Sequence, residues 1–256
     1  MTTSINRPRR AAGTSVRSVS VTPRVDDPRF GVPLYTIGEA ARFLAVPTST
    51  FASWAKGYDR RSEGRKPVHG DPIVTALPAP KGDAQIPFGG LAEGMVLAAM
   101  RRAGVSLQHI RSAVAILERE LGVAHALASK RLYTDGARLL FDYATSARDD
   151  DLEHLTVVVS GQRVFGGVVK EYLERITYAD DGWAGRISLP MTVRPVVEVD
   201  PERSFGQPIF LHGAVRVEDV LDRWRGGDAI AAVAADFGVP VGDIEDVLRA
   251  TLPAAA

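Results

Sequence analysis

The chain contains no cysteine, which excludes disulfides, thiolate zinc sites and thiol catalysis together and fits a reducing cytosol. It also lacks any apolar run near the roughly 20 residues that a membrane-spanning helix requires. Aromatic residues are scarce, at 7% of the chain. Net charge is absent too, with 31 Lys+Arg against 31 Asp+Glu. That last absence is only apparent. Residues 1–138 hold 20 basic and 11 acidic side chains, and residues 139–256 hold 11 and 20. A basic front suits a polyanion such as DNA, and an acidic back is repelled by it. With 45% hydrophobic residues over 256 positions, the chain can bury a sizeable core, and its length suggests two domains.

Residues 1–33 read as a disordered basic tail, rich in Arg, Ser and Thr and without the apolar stretch of a secretory signal. The same arginines would also suit an arm that touches phosphates. Thr36-Ile37-Gly38-Glu39 then spells a capping box. Ile37, Ala40, Ala41 and Leu44 give the following short helix one apolar face. Ala45-Val46-Pro47 makes a turn, and Thr48 to Lys56 reads as a second helix with Phe51 and Trp54 inward. Together these form a helix-turn-helix whose outward residues are small, polar and basic. Thr48, Ser49, Ser53 and Lys56 are the candidates for base edges, while Arg42, Arg60, Arg61, Arg65 and Lys66 suit phosphates. A hairpin from Ile73–Leu77 to Gln85–Ile86 would form a wing, with Lys81 at its tip. Helices are expected over 91–102 and 106–121. In the second, Leu107, Ile110, Val114, Leu117 and Leu121 form a short heptad-like seam, suited to packing on its neighbour or to a dimer. These elements define a DNA-binding unit over 34–145.

Residues 146–199 read as a small α/β connector. Asp135-Gly136 and Asp181-Gly182 both signal hairpins, Asp149–Glu153 a solvated linker, Leu155–Val159 a buried strand and 163–176 an amphipathic helix. Val193–Val199 is a further strand, which Pro195 would confine to an edge. Over 200–256 three helices are expected: Val217–Arg225, Ala229–Phe237 capped by Asp228, and Val241–Leu252. They make a second helix-turn-helix pattern, but Asp243, Glu245 and Asp246 read as its exposed face. Carboxylates oppose phosphate contacts, so DNA is not expected there. The fold class is α+β, mainly α. Five scattered histidines and the acidic run show no metal-ligand spacing and no nucleophile motif, so neither enzymatic activity nor a cofactor is expected.

Two stretches carry a family likeness. Thr36–Ala41, Thr48–Phe51 with Trp54, and Arg101–Ile110 resemble the MerR-type winged helix-turn-helix. Asp200–Phe210, Arg216–Val220 and Ala234–Val239 resemble a small tri-helical family common in bacterial antitoxins. In this order they resemble the VapB-type antitoxins of type II toxin–antitoxin pairs. That resemblance implies a cytoplasmic protein that binds a PIN-domain (VapC-type) ribonuclease through its C-terminal part. It also implies repression of its own operon through the N-terminal part, as a homodimer or as a hetero-oligomer with the toxin. Arg216, Arg223, Trp224, Arg225, Asp243, Glu245 and Asp246 are the candidate toxin contacts. Arginine and tryptophan are enriched among interface hot spots, although Trp224 also suits a core position, and the acids would steer toward a basic rim. The alternative is a stand-alone MerR-like regulator with a C-terminal ligand-sensing or assembly domain.

Overall fold

The computed structural model describes residues 26–60, 68–107, 110–111, 114–115, 118–119, 122–132 and 170–251. A one-turn helix α1 (Pro28–Gly31) leads into α2 (Ile37–Phe43) and α3 (Thr48–Lys56). The capping box forms as the sequence suggests: Thr36 Oγ1 accepts from the Glu39 amide at 3.1 Å, and Glu39 accepts from the Thr36 amide at 2.8 Å. A hairpin of β1 (Tyr58–Arg60) and β2 (Val68–Gly70) follows. Next comes α4 (Phe88–Arg102), the hub of the core. Thirteen of its fifteen residues are buried, as expected for a helix wrapped on every side. Its glycines permit that packing. A Cβ at Gly94 would lie 2.6 Å from the Phe51 ring, and one at Gly90 would lie 2.2 Å from the Thr75 carbonyl.

The helical residues of the 107–119 stretch place Ile110 and Val114 in this same core, so that part of the heptad-like seam packs within the chain. Leu117 and Leu121 lie outside the described residues. So do the Asp135-Gly136 hairpin, the 149–153 run, the 155–159 strand and the start of the 163–176 helix.

A four-stranded antiparallel sheet is built from β3 (Ile176–Tyr178), β4 (Ala184–Ser188), β5 (Val197–Val199) and β6 (Ile209–Phe210), in that order. The β3–β4 hairpin turns at Asp181-Gly182 as its sequence signal suggests, with Gly182 at φ 82°. Pro195 falls just outside β5, which is an inner strand rather than an edge. The sheet crosses residue 199, so the connector and the C-terminal unit share it. Helices α5 (Val217–Arg225), α6 (Ile230–Phe237) and α7 (Val241–Thr251) close the chain. Ala229, not Asp228, is the N-cap of α6, because the Asp228 carboxylate is held by Arg223.

One hydrophobic cluster runs from Leu44 and Phe51 through α4 to Ile187, Val220 and Ile244. The two ends are also stitched by polar contacts. Arg29 pairs with Asp181, Tyr35 donates to the Gly206 carbonyl at 2.8 Å, and the Lys130 amide donates to the Gly182 carbonyl at 2.8 Å. No helix among the described residues is long and apolar enough to cross a membrane.

Candidate nucleic-acid interface and partner face

Helices α2 and α3 pack through Leu44, Phe51 and Trp54, all essentially inaccessible. The turn between them places Ala45 at φ 51°, a left-handed conformation that costs a non-glycine residue energy. Its backbone is held from outside. Arg102, at the end of α4, donates to the carbonyls of Leu44 at 3.1 Å and Ala45 at 3.2 Å. Burial, and then neighbouring Arg175, lowers the Arg102 pKa, yet guanidinium chemistry keeps the group charged. Nothing in the sequence announces this role, because Arg102 reads as an ordinary basic residue in a helix's last turn and its partners lie nearly sixty positions away.

Pinning the turn fixes the face that α3 presents. Thr48, Ser49 and Lys56 are exposed, as is Arg42 on α2. Ser53 is half-buried and its hydroxyl donates to the Thr50 carbonyl at 2.7 Å, which leaves it chiefly an acceptor toward anything docking on the helix. At the end of α3, Gly57 takes φ 72°. A Cβ there would sit 2.4 Å from the Gly70 carbonyl, so glycine lets β1 leave the helix directly beside β2.

This hairpin lies between α3 and the segment in which the sequence pattern places the wing. Its register pairs Tyr58 with Gly70 and Arg60 with Val68. Arg60 therefore lies on β1. Arg61, Arg65 and Lys66 fall in the connection between the strands, outside the described residues. The segment expected to form the wing does so at its tip end, where the Leu77 amide donates to the Gln85 carbonyl at 2.7 Å. Ile73 and Val74 donate to the Trp54 carbonyl at 2.8 and 3.1 Å, and Ile86 pairs with Tyr35. Lys81 is exposed on a turn closed by Asp83 N–H to the Pro80 carbonyl at 3.2 Å. The base of the β1–β2 hairpin is fixed by Arg111, which the sequence did not single out. Its guanidinium donates to the Asp71 carbonyl at 3.0 and 2.7 Å and lies over the Tyr58 ring at 4.9 Å. On the hairpin, exposed His69 faces Asp59 at 2.6 Å and Asp71 at 3.0 Å. The hydrogen bonds to Asp59 and then Asp71 raise its pKa.

The C-terminal candidates are placed differently from their sequence reading. Asp243 is not on an exposed face. Its side chain is buried, 2.8 Å from His212 Nδ1 and 3.3 Å from Arg194. The reason is the α7 turn: Val241, expected inward, is 40% exposed, and Asp243 is rolled toward the β4–β5 side. Asp246 pairs with Arg194 at 2.7 Å and Arg249 at 2.8 Å, and Glu245 pairs with Arg249 at 2.9 Å. Neither acid is an uncompensated charge. The cations are paired in the same way. Arg216 holds Asp219 at 2.5 Å, and Arg225 holds Glu218 at 2.5 Å and Asp222 at 2.9 Å. Arg223 holds Asp228 and, at 3.1 Å, Asp236, while lying over the Phe237 ring. Trp224 is half-buried against the core. Among the described residues no group of His, Asp and Glu could hold a metal ion.

A helix-turn-helix with an exposed polar helix and a following β-hairpin defines a DNA-binding class of domain, and the comparisons agree. Residues 33–114 match a family described as "Putative DNA-binding HTH domain", and residues 197–249 match "Protein of unknown function (DUF433)". The chain is 47% identical over 228 residues to "Putative antitoxin VapB45" of Mycobacterium tuberculosis, covering 87% of this chain and 95% of that protein. It is 23% identical over 224 residues to the uncharacterised Rv2308 of the same organism, covering 85% and 90%. The crystal structure of Rv2018 from M. tuberculosis superposes with a TM-score of 0.71 at 42% identity, over 86% of this chain and 99% of that one. The chain belongs to the VapB45 antitoxin family.

Proposed function

We propose that this protein is an antitoxin that binds and inhibits a PIN-domain (VapC-type) ribonuclease and represses its own operon by binding operator DNA. The observation that carries the reading is the 47% identity to an antitoxin-named relative over nearly its whole length. The geometry supports a division of labour. Thr48, Ser49 and Lys56 on α3 reach base edges, with Ser53 accepting. Arg42, Arg60, Arg61, Arg65, Lys66 and Lys81 contact phosphates, which position the protein without reading sequence. Short Ser and Thr side chains discriminate weakly at each site, so two copies on a pseudo-palindrome, or a complex with the toxin, supply the specificity.

The toxin contact lies on the α5–α6 surface around Arg216, Arg223, Trp224 and Arg225, with Glu245 and Asp246 at its edge. Because these arginines already hold carboxylates, docking exchanges intramolecular ion pairs for intermolecular ones. Exposed pairs contribute little to stability, so the exchange costs the fold little. Asp243 plays no direct part, being buried beneath Arg194. The test is a ribonuclease assay with a PIN-domain toxin and increasing amounts of the full chain. Cleavage should stop near stoichiometric addition. Undiminished cleavage at large excess would contradict the inhibitory role while leaving DNA binding open to separate measurement.

A further inference from the structure

Glu93 is a carboxylate on a helix otherwise buried in apolar contacts, itself 4% exposed. Burying such a charge is costly unless it is paired and hydrogen-bonded. It accepts from the Thr75 amide at 2.6 Å and the Thr75 hydroxyl at 3.1 Å, and lies 2.9 Å from His125 Nδ1. The same imidazole nitrogen is 2.9 Å from Thr75 Oγ1. These groups line a cavity of about 380 Å³ between the wing base, α4 and the 107–119 helical residues. Three other charged groups face it. Arg111 is turned to the Asp71 carbonyl, the Asp71 carboxylate to His69, and Glu118 presents a second negative charge beside Glu93. From α1 the Phe30 ring lies 4.6 Å from the imidazole and 5.3 Å from Trp183 on the C-terminal sheet. His125 itself is held at φ 59°, in the left-handed region. The cation facing Glu93 is therefore a titratable one.

We propose that His125 is a proton-operated latch on the segment that backs the recognition helix and the wing. Protonated, it neutralises Glu93 and closes the Glu93–Thr75–His125 triangle. Just before Thr75, the amides of Ile73 and Val74 donate to the Trp54 carbonyl in the last turn of α3, so the closed triangle fixes that contact. Deprotonated, Glu93 and Glu118 face each other without a counter-charge and the hold on residues 73–75 loosens. The hydrogen bond from Glu93 raises the His125 pKa above 6.5 despite partial burial. The latch is thus complete below pH 6.5 and is lost as pH rises through the raised folded value. Glu118, at the solvent-exposed edge of the cavity, is pushed up by partial desolvation first and by Glu93 second.

The experiment is NMR on the full chain. It follows the His125 ring and the exchange protection of the Ile73, Val74 and Thr75 amides, each corrected for intrinsic exchange, across the pH range. Wild type should show a ring midpoint above 6.5 and loss of amide protection through that midpoint. Exposed Glu118→Gln should keep the fold and lower the midpoint. His125→Gln should abolish the pH dependence of the Thr75 amide, with protection in the interior of α4 as the control for folding. A ring midpoint at or below 6.5, or Thr75 protection that is unchanged through it or that still titrates in His125→Gln, would overturn the latch.

Discussion

Single residues set the geometry of the DNA-facing end. Phe51, together with Leu44, fills the space over Gly94 and is wholly buried. Its replacement by Ala should cost about 3–5 kcal/mol, the range for truncating a buried aromatic, read as a lower urea midpoint with the same slope. A much smaller loss would mean that α2 and α3 pack less firmly than described. Arg29 acts at the other end of the scale, holding Asp27 and Asp181. The Asp181 carboxyl is held below its ordinary range, chiefly by the hydrogen bond from Arg29. Its contribution is therefore present above the unfolded carboxylate value and lost as pH falls through the lower folded one. Arg29→Leu should flatten that part of the acid limb in urea unfolding measured against pH, and an unchanged limb would show that the pair contributes nothing.

At the scale of elements, the β1–β2 hairpin leaves the recognition helix directly at Gly57. Reversing Arg60 and Arg61 to Glu should weaken binding to all DNA sequences alike and reduce the slope of log K against log salt, as expected when phosphate contacts are lost. Undiminished DNA binding would remove the basic hairpin from the interface. Elements were legible in the sequence where a local rule sufficed: the Thr36–Glu39 box, the α3 core pair Phe51 and Trp54, the Asp181-Gly182 turn and α5. The 73–86 hairpin was legible only at its Leu77–Gln85 end, because Ile73 and Val74 spend their amides on Trp54, a tertiary contact that no local pattern encodes. The α7 face was misread for a similar reason. Helical periodicity gives the spacing of Asp243, Glu245 and Asp246, but the tertiary packing that sets Asp243 against His212 and Arg194 decides which of them turns inward. Arg102 and Arg111 were invisible because their carbonyl partners are distant in sequence.

For the whole molecule, the opposite charges of the two halves do not mark two independent bodies. One apolar cluster joins the helix-turn-helix, α4, the sheet and the last three helices. The three tryptophans, Trp54, Trp183 and Trp224, sit in three different parts of it. Unfolding should therefore follow one transition, with tryptophan fluorescence and far-ultraviolet dichroism coincident. Two separated transitions would show that the ends fold apart. It also follows that the proposed toxin-binding role is best probed on the full chain, since removing β5 and β6 would strip the sheet that carries Ile187. The central claim joins a DNA-reading front to a toxin-binding back. Its most direct test is purification of the tagged full chain from its native host under gentle salt, with the co-eluting proteins identified by mass spectrometry. The account predicts a near-stoichiometric PIN-domain ribonuclease whose recovery falls when Arg223 and Arg225 are both changed to Gln. A preparation carrying DNA and no such nuclease would contradict it.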